Sequence, residues 1–138
     1  MRKHALGVLA FIAVTFAVQA TSHFVVNTGH YATIPFMRAD ADVVFPLGFL
    51  AMIVQGLCLT WLYSRLPRAG HPVVSGLKFS LVAGAILASY IAFAEPAKYA
   101  APSIPAWIAV EGLVSLTQFA VFGILLGLIH GEKFAAAD

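Results

Sequence analysis

Charge is the scarcest property of this chain: Asp, Glu, Lys and Arg make up only 10% of its 138 residues. A soluble domain usually carries about 25%, and so few ionic groups cannot solvate a globular surface. Hydrophobic residues reach 61% and mean hydropathy is +0.91, which makes lipid the solvent for most side chains. Cysteine is nearly absent. The single Cys58 excludes an internal disulfide, and inside an apolar run it reads as a small core hydrophobe. The few basic residues are scattered, so no electrostatic footprint for nucleic acid exists. No glycine-rich phosphate loop, paired cysteines, zinc-protease motif or nucleophile elbow occurs. No cofactor is expected. An enzyme is disfavoured, although His23 and Glu111 as acid and base would be its most economical form.

What is present is a set of long apolar runs. They predict an all-α chain: an integral membrane antiparallel four-helix bundle in one domain spanning residues 1–138. The helices are placed near 5–28, 44–63, 77–94 and 105–130. About 20 helical residues cross a hydrocarbon core of about 30 Å. Helices satisfy their own backbone groups, which lipid cannot do, and the alternating segments of about 10 residues that a membrane barrel needs are missing.

Basic residues set the expected orientation. Arg2, Lys3, Arg65, Arg68, Lys78 and Lys133 fall at one end of the spans, Arg38 and Lys98 at the other. The richer side is expected to be cytoplasmic, with both termini inside and the chain in the cytoplasmic (inner) membrane. Tyr31, Tyr99 and Trp107 are expected as an outer aromatic belt, Trp61 and Tyr63 as an inner one. The basic start and Val18-Gln19-Ala20 resemble a cleavable secretory signal. Apolar character resumes in Phe24-Val25-Val26, so the first span is expected to be retained.

The loop from Gly29 to Val43 mixes Asp40, Asp42 and Arg38 with Ile34, Phe36 and Met37, which suits a segment lying in the headgroup layer. Asp40 and Asp42 read as solvated charges rather than a cation site. The inner turn from Arg65 to Pro72 is rich in breakers and attractive to anionic headgroups. Tyr31-Ala32-Thr33-Ile34-Pro35 is echoed by Tyr99-Ala100 and Ile104-Pro105, but the flanking spans do not align and the echo reads as chance.

The polar residues inside the spans carry the functional information. Thr15, Gln19, Ser22, His23, Asn27 and His30 fall within roughly 140° of one helix face. Glu111, Ser115 and Gln118 share a face of the last helix, Gln55 lies mid-depth in the second span, and Tyr90 near the outer end of the third. At about 1.5 Å per residue, His23 and Glu111 reach a similar depth in the outer half of the bilayer. A buried carboxylate must pair or stay protonated, and His23 is the expected partner of Glu111.

Gln19, His23, Asn27, Gln55, Tyr90, Glu111, Ser115 and Gln118 are therefore expected to form one buried polar network. As interhelical glue, it implies a small structural or accessory subunit. As a hydrated path, it implies a proton-linked carrier or channel for a small solute. A membrane-embedded metal or haem protein is a further alternative. His23, His30 and Glu111 have metal-ligand chemistry without a known spacing, and two histidines on one helix do not face each other across a haem.

Small residues mark packing faces. Gly123, Gly127 and Gly131 form a groove on the last helix, pointing roughly 150° from Glu111 at about 100° per residue. Ser80, Gly84, Ala88 and Ala92 form a stripe on the third. These stripes suit either each other or another subunit, so a homo-oligomer or larger membrane complex joins membrane lipid among the expected partners.

Overall fold

The computed structural model describes residues 1–67 and 70–131, whose regular elements are all helical, with no strand among them. Arg68 and Lys133, used in the orientation argument, lie outside the described residues. The elements are α1 (Arg2–Thr21), continued by a π turn (Ser22–Val26), α2 (Thr28–Ala32), a 3-10 turn (Asp40–Asp42), α3 (Phe45–Arg65), α4 (Pro72–Ser89), a second π turn (Tyr90–Ala94), α5 (Glu95–Lys98) and α6 (Ile104–His130). Four continuous helices are long and apolar enough to cross a membrane: Arg2–Val26, Phe45–Arg65, Pro72–Lys98 and Ile104–His130.

Proline sets the starts. Pro46, Pro72, Pro96 and Pro105 occupy the first turn of α3, α4, α5 and α6, where their missing N–H costs no helical bond. Ser103 caps α6 by accepting from the Ala106 N–H at 3.4 Å, as an N-cap hydroxyl does. Gly70, at φ 81°, turns the chain into α4 in the left-handed region that glycine tolerates. Both π turns sit near the same end of the molecule. The second precedes Pro96 and lets the helical path continue to Lys98, because the wider turn accommodates a residue with no N–H to donate. The third span is accordingly longer than the 77–94 expected, at both ends.

Small residues set the closest contact, between α4 and α6. Gly76 lies against the backbone of Gly123 and Gly127, Gly127 against Pro72 and Val73, and Gly84 against the Phe119 ring. The Ser80 hydroxyl donates to Phe119 O at 2.7 Å. The glycine groove is thus filled by the chain's own α4, which removes the geometric reason for assigning it to another subunit. Gly131 packs on Pro72, and Ala88 lines a shallow surface groove of about 290 Å³ with Gly84 and Ser115. On the other side Gly7 meets Thr60, and Gly56 meets Val8 and Phe11, joining α1 to α3.

The main core is Phe11, Val14, Leu59, Tyr63, Phe119, Phe122 and Leu126. A second, smaller core is Tyr31, Ile34 and Trp107. Tyr31 and Trp107 are therefore buried, as is Tyr63, and do not form the interfacial belts expected of them. Two of them have polar partners inside the protein: the Trp107 indole N–H donates to Ile91 O at 2.9 Å, and the Tyr31 hydroxyl donates to Glu111. Trp61 and Tyr99 remain exposed. Cys58 is exposed too, not a core residue. It sits on the outward face of α3, among Ile53, Val54 and Leu57.

Candidate functional site

The π turn after α1 creates the site. It adds a residue to the turn, so Asn27 N–H reaches Ser22 O at 2.8 Å, and the Asn27 side-chain amide donates to Ser22 Oγ at 2.9 Å. This clamp aims α2 back over the bundle and brings Tyr31 inward. The Tyr31 hydroxyl donates to Glu111 Oε1 at 2.9 Å and lies 3.3 Å from Ser22 Oγ. Since the Tyr31 hydrogen goes to the carboxylate, the Ser22 hydroxyl is the donor to Tyr31. The result is a one-way chain of donors, Asn27 to Ser22 to Tyr31 to Glu111, in which each bond polarises the next. Burial holds the Tyr31 phenol well above its ordinary range, and the neighbouring Glu111 adds to the effect, while the Ser22 bond opposes it.

His23 occupies the same level but does not bond Glu111. Its ring stacks on Tyr31 with centroids 3.8 Å apart and planes 10° apart. Its Nδ1 lies 3.1 Å from Gln19 O. A carbonyl only accepts, so Nδ1 carries the hydrogen, and in the neutral imidazole Nε2 is an acceptor. Glu111 thus has a phenol as partner where a histidine was expected. His30 packs edge-on to Tyr31, with centroids 5.3 Å apart, and its buried Nε2 has no hydrogen-bond partner among the described residues.

One level deeper, Gln19 donates to Gln118 across α1 and α6 at 3.0 Å. Gln19, His23, Asn27, Glu111 and Gln118 are therefore brought into one region around Tyr31 and Ser22. Other candidates lie elsewhere. Among the described residues no hydrogen bond ties half-buried Gln55 to this cluster. Ser115 is buried but faces the α4 groove. Tyr90 is exposed and accepts from Lys98 at 3.2 Å, with the ammonium also over its ring. No group of three or more His, Cys, Asp or Glu among the described residues could hold a metal ion, so His23, His30 and Glu111 do not converge as ligands.

Tyr31 is the residue that sequence reasoning missed. Its position beside a proline-containing loop marks an interfacial aromatic, and only its spacing from Asn27, across an irregular turn, hints otherwise. Trp107 was missed for the same reason.

Beside the cluster lies a cleft of about 870 Å³ between the C-terminal half of α1, the loop after α2 and the start of α3. Its walls include Phe16 and Phe49, stacked with centroids 5.4 Å apart. Gln19, His23 and Tyr31 form its polar side, and Arg38 and Asp40 lie on the loop.

The chain matches no protein-family model, no curated protein and no solved structure.

Proposed function

We propose that the chain is a four-span integral membrane protein, an antiparallel helix bundle in the cytoplasmic membrane with both termini inside. In this reading it is a structural or accessory component whose buried polar chain fixes the helix register and conducts nothing. Support for insertion comes from the exposed apolar rows: Leu50, Val54 and Leu57 on α3, Val82 and Ile86 on α4, and Leu113 and Leu116 on α6. Water would penalise so much contiguous apolar surface. The antiparallel senses are supported by contacts at one end, where Lys3 donates to Gly131 O, Gly127 packs on Pro72 and Tyr63 meets His130 edge-on. That end carries Arg2, Lys3 and Arg65.

A single observation carries the non-conducting assignment. Below the Gln19–Gln118 bond, the bundle centre is closed by Phe11, Phe119, Phe122 and Leu126, each 0–4% exposed. A proton or solute path needs titratable or hydrated groups through that layer, and these four side chains are apolar and closely packed. The deciding experiment reconstitutes the protein in liposomes enclosing a pH-sensitive dye. Decay of an imposed pH gradient is expected to match that of protein-free liposomes. A faster decay that Glu111→Gln abolishes would overturn the assignment in favour of a proton-linked carrier. Single cysteines at Asp40 and Gly70, in a Cys58→Ser background, test the orientation: the first is expected to be labelled from outside, the second from the cytoplasm.

A further inference from the structure

A register-fixing role leaves the cleft between α1 and α3 unused. Its presence is not an accident of loose packing. The two helices touch at their inner ends, where Gly7 and Gly56 permit close approach. Toward the outer end the facing residues are Phe16 and Phe49, which are too large for such an approach and hold the helices apart. The volume of about 870 Å³ lies within the range of small-molecule sites, about 300–1,000 Å³.

The chemistry of the cleft is specific. The His23 imidazole is held on two sides: one face lies on Tyr31, and Nδ1–H is committed to Gln19 O. Tyr31 is itself anchored to Glu111. Nε2 has no hydrogen-bond partner among the described residues, and His23 lines the cleft. A rigid acceptor with its orientation set by surrounding bonds is what a donor ligand requires. The rest of the wall is aromatic and apolar, with Phe16, Phe24, Phe45 and Phe49, and favours a flat ring by stacking and edge contacts. On the loop, Arg38 is accompanied by Asp40, so the mouth is not a cationic cradle for a phosphate headgroup.

We infer that this cleft binds a lipid-soluble phenol: an amphiphile whose aromatic hydroxyl donates to His23 Nε2, whose ring lies among the phenylalanines, and whose hydrocarbon tail leaves between α1 and α3. The inference does not depend on whether the bundle conducts. A binding assay reads it and a flux assay reads the other, so each can fail alone.

The test uses the purified full chain in nanodiscs with two matched probes, 4-nonylphenol and its methyl ether, and follows binding by calorimetry. The ether keeps the ring and tail but cannot donate. The phenol is expected to bind at least about 10-fold tighter, a difference of about 1.4 kcal/mol. In His23→Phe the ring can still stack on Tyr31, and the two probes are expected to bind within about 2-fold of each other. Equal affinity of phenol and ether for the unaltered protein overturns the inference and leaves a greasy crevice for acyl chains. A discrimination that survives His23→Phe overturns it as well. Gly48 lines the cleft and a Cβ there meets nothing within 4 Å, so Gly48→Phe fills the space without disturbing the backbone. It is expected to abolish binding of both probes, and unchanged binding would place the ligand elsewhere.

Discussion

Tyr31→Phe removes one hydroxyl and little else. The ring keeps its stack on His23 and its place beside Trp107 and Ile34. What changes is that Glu111, only 7% exposed, loses the one hydrogen-bond donor it has among the described residues, and the Ser22 hydroxyl loses its acceptor. An ordinary cross-helix bond in a bilayer contributes on average about 0.6 kcal/mol. A buried acceptor left without a donor costs about 1–3 kcal/mol, and more when charged. The second effect should dominate, so the expected destabilisation is about 1–3 kcal/mol. Glu111→Gln alone should cost less than about 1 kcal/mol, because the amide oxygen still accepts from Tyr31. Combining the two substitutions should recover part of the Tyr31→Phe loss, since a neutral amide tolerates the lost donor better than a carboxylate. Unfolding by SDS titration from mild detergent micelles, followed by the fluorescence of Trp107 in a Trp61→Phe background, measures all four corners of the cycle. A coupling below about 0.3 kcal/mol would refute the claim that this bond organises the end of the bundle around Ser22 and Trp107.

Two further outcomes follow from the same structure. Gly127→Ala is expected to destabilise by about 1–3 kcal/mol, since its methyl group would collide with the Pro72 and Val73 backbone. Gly112→Ala, where a Cβ meets nothing within 4 Å, should be neutral or stabilising by up to about 1 kcal/mol from helix propensity; the same SDS titration distinguishes them. The second outcome concerns alkali. Because burial raises the folded-state pKa of Tyr31 above its ordinary value of 10.0, its contribution to stability is complete below that value and is lost as pH rises beyond it. Ultraviolet titration near 295 nm should show a late-ionising phenol that is missing in Tyr31→Phe, and the variant's stability should fall less steeply above pH about 10.

The long apolar runs were legible because lipid imposes one requirement, internal satisfaction of backbone groups, and length and hydropathy report it directly. Helix ends were less legible. Lys78 looked like a flanking charge, yet α4 begins at Pro72 and carries Lys78 on an exposed face, where its long stem can keep the ammonium near the interface. The small-residue stripes were visible, but not what fills them, since that depends on the crossing of α4 and α6. The polar faces of α1 and α6 put Gln19, Gln55 and Gln118 near one depth and His23 and Glu111 near another, and in the structure Gln19 donates to Gln118. The identity of the bond did not follow, because a regular 100° step cannot anticipate a π turn, and the residue delivered to Glu111 lies beyond that turn.

That dependence makes the π turn itself testable. Val25 and Val26 are 71% and 69% exposed, so neither is held by packing, yet the turn containing them carries an additional residue relative to α-helix. Deleting Val25 would remove that residue, so Asn27 would follow Ser22 by four positions and its N–H could keep Ser22 O as an α-helical partner. The segment beyond would then hold nearly its present orientation, with Tyr31 still beside Glu111. The deletion should therefore cost less than Tyr31→Phe, and Tyr31→Phe should remain about as damaging within it. If the deleted chain instead loses as much stability as Tyr31→Phe, and that substitution adds little more within it, the additional residue itself is what aims Tyr31 at Glu111. The extra residue would then be a working part of the polar site and not an insertion that the helix absorbs.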